Sequence, residues 1–130
     1  MILAIRTDKP TAELYLYQES SQIDSYKWEA HRSLADILLT KIKEFLDNNK
    51  IALNELQGII VFTGEGSFTG LRIGTSTANA LAYGLEIPVA AGLGEEWIKQ
   101  GLENLKKVNK GEYVIPKYNA EPNITKPKSA

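Results

Sequence analysis

The sequence predicts an α/β domain in which a mixed five-stranded sheet is built in the order β-β-β-α-β-α-β-α. Three observations predict it. Residues 2–5 and 59–62 are continuous apolar runs, the pattern of strands buried on both faces. Residues 12–28 offer two further strand-like stretches joined by links too short for a crossover, so the first three strands should form an antiparallel meander. From Ser33 onward, helical stretches alternate with apolar runs, which calls for parallel strands joined by helical crossovers.

The elements follow in order. Ile2-Leu3-Ala4-Ile5 is the first strand, and Thr7-Asp8-Lys9-Pro10 a turn. Residues 12–17, rich in Leu and Tyr, form the second strand. Ser20-Ser21 marks a turn, and residues 23–28 form the third strand with Ile23, Tyr26 and Trp28 as its apolar content. Ser33 with Asp36 resembles a capping box opening a helix over 33–49. Leu34, Ile37, Leu38, Ile42, Phe45 and Leu46 follow helical spacing there, and Ala35 and Leu39 widen the apolar stripe. Residues 51–56 are a connector in which Asn54 can cap one helical turn. A strand over 58–63, a glycine turn and a helix over 69–84 come next, with Thr69 as its N-cap. Leu71, Ala78, Leu81, Ala82 and Leu85 are placed to face the sheet. Residues 87–91 form a short strand entered through Pro88. Residues 95–107 form a last helix with Trp97, Ile98, Leu102 and Leu105 inward, and acids at its start and lysines at its end suit the helix dipole.

A chain of 130 residues has room for one core. The division expected is a lobe over 1–107 and a basic, proline-containing tail over 108–130. Tyr113-Val114-Ile115 is the one stretch of that tail able to add an edge strand. The net charge of −1 conceals an asymmetry: residues 1–105 hold nine Lys/Arg against fourteen Asp/Glu, and the remainder six against two. A basic tail on an acidic body can reach RNA, an acidic partner or the body itself, or stay solvated. The absence of cysteine excludes disulfides, zinc thiolate sites and thiol nucleophiles. Arg6, Asp8 and Lys9 interrupt the short apolar start, and no apolar run approaches bilayer-spanning length, so a soluble cytoplasmic protein is expected.

The chemistry centres on Gly64-Glu65-Gly66-Ser67-Phe68-Thr69-Gly70-Leu71-Arg72-Ile73-Gly74. Backbone amides at Gly64, Gly66 and Gly70, with the Ser67 and Thr69 hydroxyls, could face a phosphate. The stretch can equally be a tight strand-to-helix turn whose glycines allow backbones to approach closely. No lysine follows in the Walker position, and Glu65 would repel a phosphate. The helix beyond is rich in Gly, Ala, Ser and Thr. Its small residues can serve internal packing, or Thr75, Asn79 and their neighbours can face a partner helix. His31, the only histidine, has no second metal ligand at helical spacing except Asp36, and reads as a surface or capping residue. Arg6, at the end of the first strand, stands where a metal-holding carboxylate would be needed for two-metal chemistry. Asp8 could substitute only from the turn. Arg6 is left to pair with an acid or bind a phosphate.

These residues carry a resemblance. Ile2-Leu3-Ala4-Ile5, His31 before a Leu-rich helix, the eleven-residue glycine stretch and Leu85-Glu86-Ile87-Pro88-Val89 resemble the TsaB (YeaZ) family over roughly residues 1–105. The resemblance implies one lobe of the actin-like ATPase, ribonuclease H-like architecture. It implies a non-catalytic partner of TsaD, the enzyme that transfers threonylcarbamoyl to adenosine 37 of ANN-decoding tRNAs, with the ATPase TsaE in the same complex. It implies contacts to TsaD, or to a second copy in a homodimer, through the two helices over 33–49 and 69–84. The residues so implicated are Ala35, Leu38, Leu39, Ile42, Leu71, Arg72, Thr75, Ala78, Asn79 and Ala82. It implies that tRNA is met only through the complex; no cofactor, no metal and no membrane contact are expected. The sequence departs from the family at Arg6, where an acid is usual, at Glu65, where a proline is usual, and in lacking most of the second lobe, for which a short basic tail stands. The paired-histidine metal motif of TsaD is also absent, so no protease activity is expected. Two other readings remain: a one-lobe nucleotide-binding hydrolase using the glycine turn, and a small tRNA-binding module using Lys106, Lys107, Lys110, Lys117, Lys126 and Lys128.

Overall fold

The computed structural model describes residues 1–30, 33–65 and 68–115, with the backbone alone at Phe68. His31, Gly66, Ser67 and the tail beyond residue 115 lie outside the described residues. The predicted element order is the observed one. Strands β1 (Ile2–Arg6), β2 (Thr11–Gln18) and β3 (Ser21–Glu29) precede helix α1 (Leu34–Asn48). A single 3-10 turn (Leu53–Glu55) leads to strand β4 (Gly58–Phe62), helix α2 (Phe68–Leu85), strand β5 (Val89–Gly92) and helix α3 (Trp97–Leu105).

The sheet order is β3-β2-β1-β4-β5. The meander is antiparallel, with Leu3 opposite Leu16 and Leu14 opposite Tyr26. Beyond it β4 lies parallel to both β1 and β5, with Leu3 opposite Ile59 and Ile59 opposite Val89. β1 and β4 therefore sit at the centre, and side-chain alternation sends their residues into two cores. Leu3, Ile5, Ile59 and Val61 enter the larger one with Leu38, Ile42 and Leu46 of α1 and Ala78 and Ala82 of α2. Ala4, Ile60 and Phe62 enter the smaller one with Leu71 and Trp97. Burial on both faces is why these two strands are unbroken apolar runs. β3 is a sheet edge, exposed throughout except for half-buried Trp28.

Local departures from the predicted boundaries have physical causes. Ser33 stands at the N-cap position of α1, as predicted, but its side chain makes no capping bond: its Oγ donates to the Ala30 carbonyl at 2.7 Å, which takes it away from the helix amides. Thr69 lies inside the first turn of α2, because the helix already begins at Phe68. The 3-10 turn is tied by the Ala52 N–H donating to Glu55 Oε1 at 2.7 Å, not by Asn54. The hairpin turn falls at Glu19-Ser20, with Glu19 at φ 56°, one residue before the predicted position. α3 starts at Trp97, after a turn in which Gly94 has φ 76°. Tyr113-Val114-Ile115 adds no strand; it lies against α2, where a side chain takes its hydrogen bonds.

Candidate functional site

The glycine stretch joins β4 to α2 at the end of the sheet where β1 also stops. β4 delivers Phe62 and then Thr63, whose N–H donates to the Gly92 carbonyl at 3.1 Å. Gly64 is buried against the Phe62 ring, and a Cβ there would lie 2.6 Å from the ring's Cζ. Glu65 is exposed. The first turns of α2 then press on the end of β1. Thr7, fully buried, donates its hydroxyl to the Gly70 carbonyl at 2.7 Å. A Cβ on Gly74 would meet that same Oγ1 at 2.2 Å. Gly64 and Gly74 thus serve close packing, and the Gly70 carbonyl serves as an acceptor for Thr7. Thr69 is exposed.

Arg6 resolves as an ion pair. Its Nε and Nη2 donate to Asp8 Oδ1 and Oδ2 at 2.7 and 3.1 Å, a two-pronged pairing. Its guanidinium carbon lies 3.9 Å from the Phe62 ring centroid and 5.9 Å from that of Trp97. The hydrogen bonding that Arg6 donates to Asp8 leads in raising the Arg6 pKa, so the cation is fixed. Asp8 is buried with both oxygens engaged by Arg6, so its carboxylate is committed to that pair. Among the described residues no group of three or more His, Cys, Asp or Glu is placed to hold a metal ion.

Beside this pair Tyr15 packs edge-on to Trp97, with ring centroids 5.8 Å apart, and its hydroxyl donates to Glu13 Oε1 at 2.6 Å. Desolvation, followed by the Glu13 hydrogen bond, raises the Tyr15 pKa above the ordinary 10.0. The fold thus favours the neutral phenol. Its stability contribution is complete below about pH 10 and is lost as pH rises through that value toward the folded-state pKa. In an alkaline titration followed by tyrosinate absorbance, Tyr15→Phe is expected to show the same pre-unfolding amplitude as wild type. A smaller amplitude in the variant would mean that Tyr15 ionises normally.

The ten residues singled out on the helix pair divide. Leu38, Ile42, Leu71, Thr75, Ala78 and Ala82 are buried within the chain's own two cores and helix contacts. Ala35, Leu39 and Arg72 are exposed, Leu39 to 49%. Asn79 is half-buried and exchanges two hydrogen bonds with Val114. The structure also brings in residues that sequence reasoning missed. Thr7 is the anchor between β1 and α2, and Phe62 with Trp97 is the platform under Arg6. Arg6 and Asp8, two apart across a strand end, are the one local signal that could have been read further. Nothing in the pattern pairs Thr7 with residues more than sixty positions later.

A parallel pair of central strands continued by an antiparallel meander, with α1 and α2 on one face and α3 on the other, is one lobe of the actin-like, ribonuclease H-like fold. The family model described as TsaD, tRNA N6-adenosine threonylcarbamoyltransferase, matches residues 22–91. The tRNA threonylcarbamoyladenosine biosynthesis protein TsaB of Bacillus subtilis (strain 168) is 33% identical over 90 residues, which cover 69% of this chain and 39% of that protein. The tRNA N6-adenosine threonylcarbamoyltransferase of Geotalea uraniireducens is 38% identical over 61 residues, 47% of this chain and 18% of that enzyme. Among solved structures, YeaZ from Pseudomonas aeruginosa superposes with a TM-score of 0.63 at 31% identity, covering 69% of this chain and 42% of that one. The chain belongs to this threonylcarbamoyladenosine family, with its broadest likeness to the TsaB (YeaZ) members. It spans about two fifths of the length of the TsaB relatives it matches. No helix among the described residues is long and apolar enough to cross a membrane.

Proposed function

We propose that the chain acts in tRNA threonylcarbamoyladenosine biosynthesis as a non-catalytic scaffold that docks a TsaD-like catalytic subunit through α1 and α2. The observation that carries this reading is the exposed apolar residue Leu39 on α1, an outward position on the helix pair of a lobe similar to TsaB. Ala35 lies one turn before it, and Arg72 is exposed on α2. Leucine at nearly half exposure gains from being covered, and neighbouring small residues let a second helix approach. The commitment of Asp8 to Arg6, the bond from Thr7 to the Gly70 carbonyl and the close approach of Gly74 to Thr7 support a positioning role for the glycine turn over a nucleotide-binding one. A TsaE-like ATPase joins in the assembled complex, a second copy is the alternative occupant of the helix face when the partner is absent, tRNA is met through the complex, and the setting is the cytoplasm.

The test is Leu39→Asp. Exposed substitutions of this kind change stability by roughly 0.5 kcal/mol or less, so the variant should melt like wild type. Its affinity for the purified TsaD-like subunit, measured by titration calorimetry, is expected to fall at least about tenfold, the equivalent of about 1.4 kcal/mol. A folded variant that binds as tightly as wild type overturns this face as the docking surface.

A further inference from the structure

The chain beyond α3 returns across α2 and is caught there by one side chain. The Val114 N–H donates to Asn79 Oδ1 at 3.0 Å, and Asn79 Nδ2 donates to the Val114 carbonyl at 2.9 Å. A single side-chain amide thereby satisfies both main-chain groups of one residue, as a neighbouring strand would. Val114 is half-buried against the larger core. The Tyr113 ring lies 6.5 Å from that of Tyr83. A turn before it, closed by the Glu112 N–H on the Asn109 carbonyl at 3.2 Å, sets the approach.

The seat is incomplete. A hollow of about 450 Å³ lies beside the segment, lined by Ala82, Tyr83, Glu86, Lys110 and Tyr113. Tyr83 remains 72% exposed, and Ile115 81%. Among the described residues, two hydrogen bonds, one half-buried valine and one ring contact hold the segment to α2, and the entropy of ordering its backbone opposes them at comparable size. The attachment is therefore close to balance.

Its position gives the balance a consequence. Arg72, Ser76, Asn79 and Tyr83 follow one another at i, i+4, i+7 and i+11, a single stripe along α2. Arg72, Ser76 and Tyr83 are exposed, and the segment sits on Asn79 between them. We propose that residues 112–115 are a displaceable strap, bound in cis to a main-chain-reading site at Asn79, and that a partner docking along α2 must release it. This rests on the reading of the helix pair as the docking face. The strap then sets the apparent affinity, because the binding-competent state is the fraction of molecules in which it is open. An incoming extended segment with an aliphatic side chain would find the vacated amide and valine seat ready.

The experiment uses full-length chains altered only in the strap: Val114→Gly, and Tyr113→Ala, which changes a half-exposed ring and leaves the core untouched. Each is titrated with the purified TsaD-like subunit, and hydrogen exchange is followed at the residue 114 amide. Both variants are expected to melt cooperatively and to bind about threefold or more tighter than wild type. Saturating partner is expected to speed exchange at the Val114 amide of wild type. Equal or weaker binding by folded variants, or protection at Val114 that survives saturation, overturns the strap while leaving the docking reading intact. Binding by none of the chains overturns both together, and wild-type binding tells the two failures apart.

Discussion

Ala78→Asp is expected to unfold the chain. Ala78 has 0% exposure and sits where α2 meets the sheet, within the cluster that holds Leu3, Ile5, Ile59 and Val61. A carboxylate there leaves water for an apolar wall. The nearest polar help along the helix is Thr75, one turn earlier, whose buried hydroxyl has no partner of its own. One hydroxyl cannot replace a hydration shell, and a protonated acid would still be larger than the methyl it replaces. A cost above about 4 kcal/mol is expected for an unpaired acid in such a core. That is a large share of the roughly 5–15 kcal/mol that domains of this size possess. Circular dichroism should show loss of the cooperative thermal transition, and Ala78→Ser should retain it at a reduced midpoint. A folded Ala78→Asp with a wild-type urea midpoint would place this part of α2 outside the core. The contrast with Leu39→Asp matters for function, because both positions belong to helices proposed to meet a partner. Lost binding by the first variant reports unfolding, and by the second it reports the surface.

The order of elements was legible because burial leaves a period in the sequence. Residues 2–5 and 59–62 are apolar without interruption, and they proved to be the strands with a core on each face. α1 was legible for the same reason, since Leu34, Leu38, Ile42, Phe45 and Leu46 recur at helical spacing and are all buried. α2 was harder. Where most residues are Gly, Ala, Ser or Thr, the contrast between a core face and an outward face nearly vanishes. Spacing set Ala78 toward the sheet, where it is buried, but it left open whether Thr75 serves internal packing or faces a partner, and Thr75 too is buried. The start of α1 was placed correctly at Ser33, but its capping bond was not legible, because the hydroxyl has a competing acceptor in the Ala30 carbonyl. Pairings between distant segments left no local trace. The Asn79 amide and the Val114 backbone meet across thirty-five positions, and only the fold brings them together. The likeness to TsaB located the lobe, but which helix residues remain available to a partner had to come from their burial.

Gly74→Ala is the second large effect expected, and it bears on why the glycine stretch exists. The added methyl would lie 2.2 Å from Thr7 Oγ1 and 3.3 Å from Thr7 Cβ. Neither atom is the end of a long, flexible chain, so the helix or the end of β1 must move. Overpacking of this kind costs about 1–3 kcal/mol, and displacing the hydroxyl from the Gly70 carbonyl at 2.7 Å adds about 1 kcal/mol or more. Against this, alanine in a helix interior gains about 1 kcal/mol over glycine. A net loss of about 2 kcal/mol follows, read as a lower urea midpoint. Thr7→Ala alone should cost about 1 kcal/mol, because its buried hydrogen bond to the Gly70 carbonyl is lost. Combining the two removes the contact with Oγ1 and leaves only the milder one with the residue 7 Cβ, since the space vacated by the hydroxyl receives the new methyl. The double variant should therefore be more stable than Gly74→Ala alone, with a coupling of at least about 1 kcal/mol. Additivity within about 0.5 kcal/mol would mean that the two residues do not press on each other. A phosphate-cradling glycine would behave otherwise: its substitution would impair ligand binding, and Thr7→Ala would restore nothing. Rescue by Thr7→Ala would identify Gly74 as the contact that seats α2 on β1, and with it the helix stripe on which both the proposed partner and the strap depend.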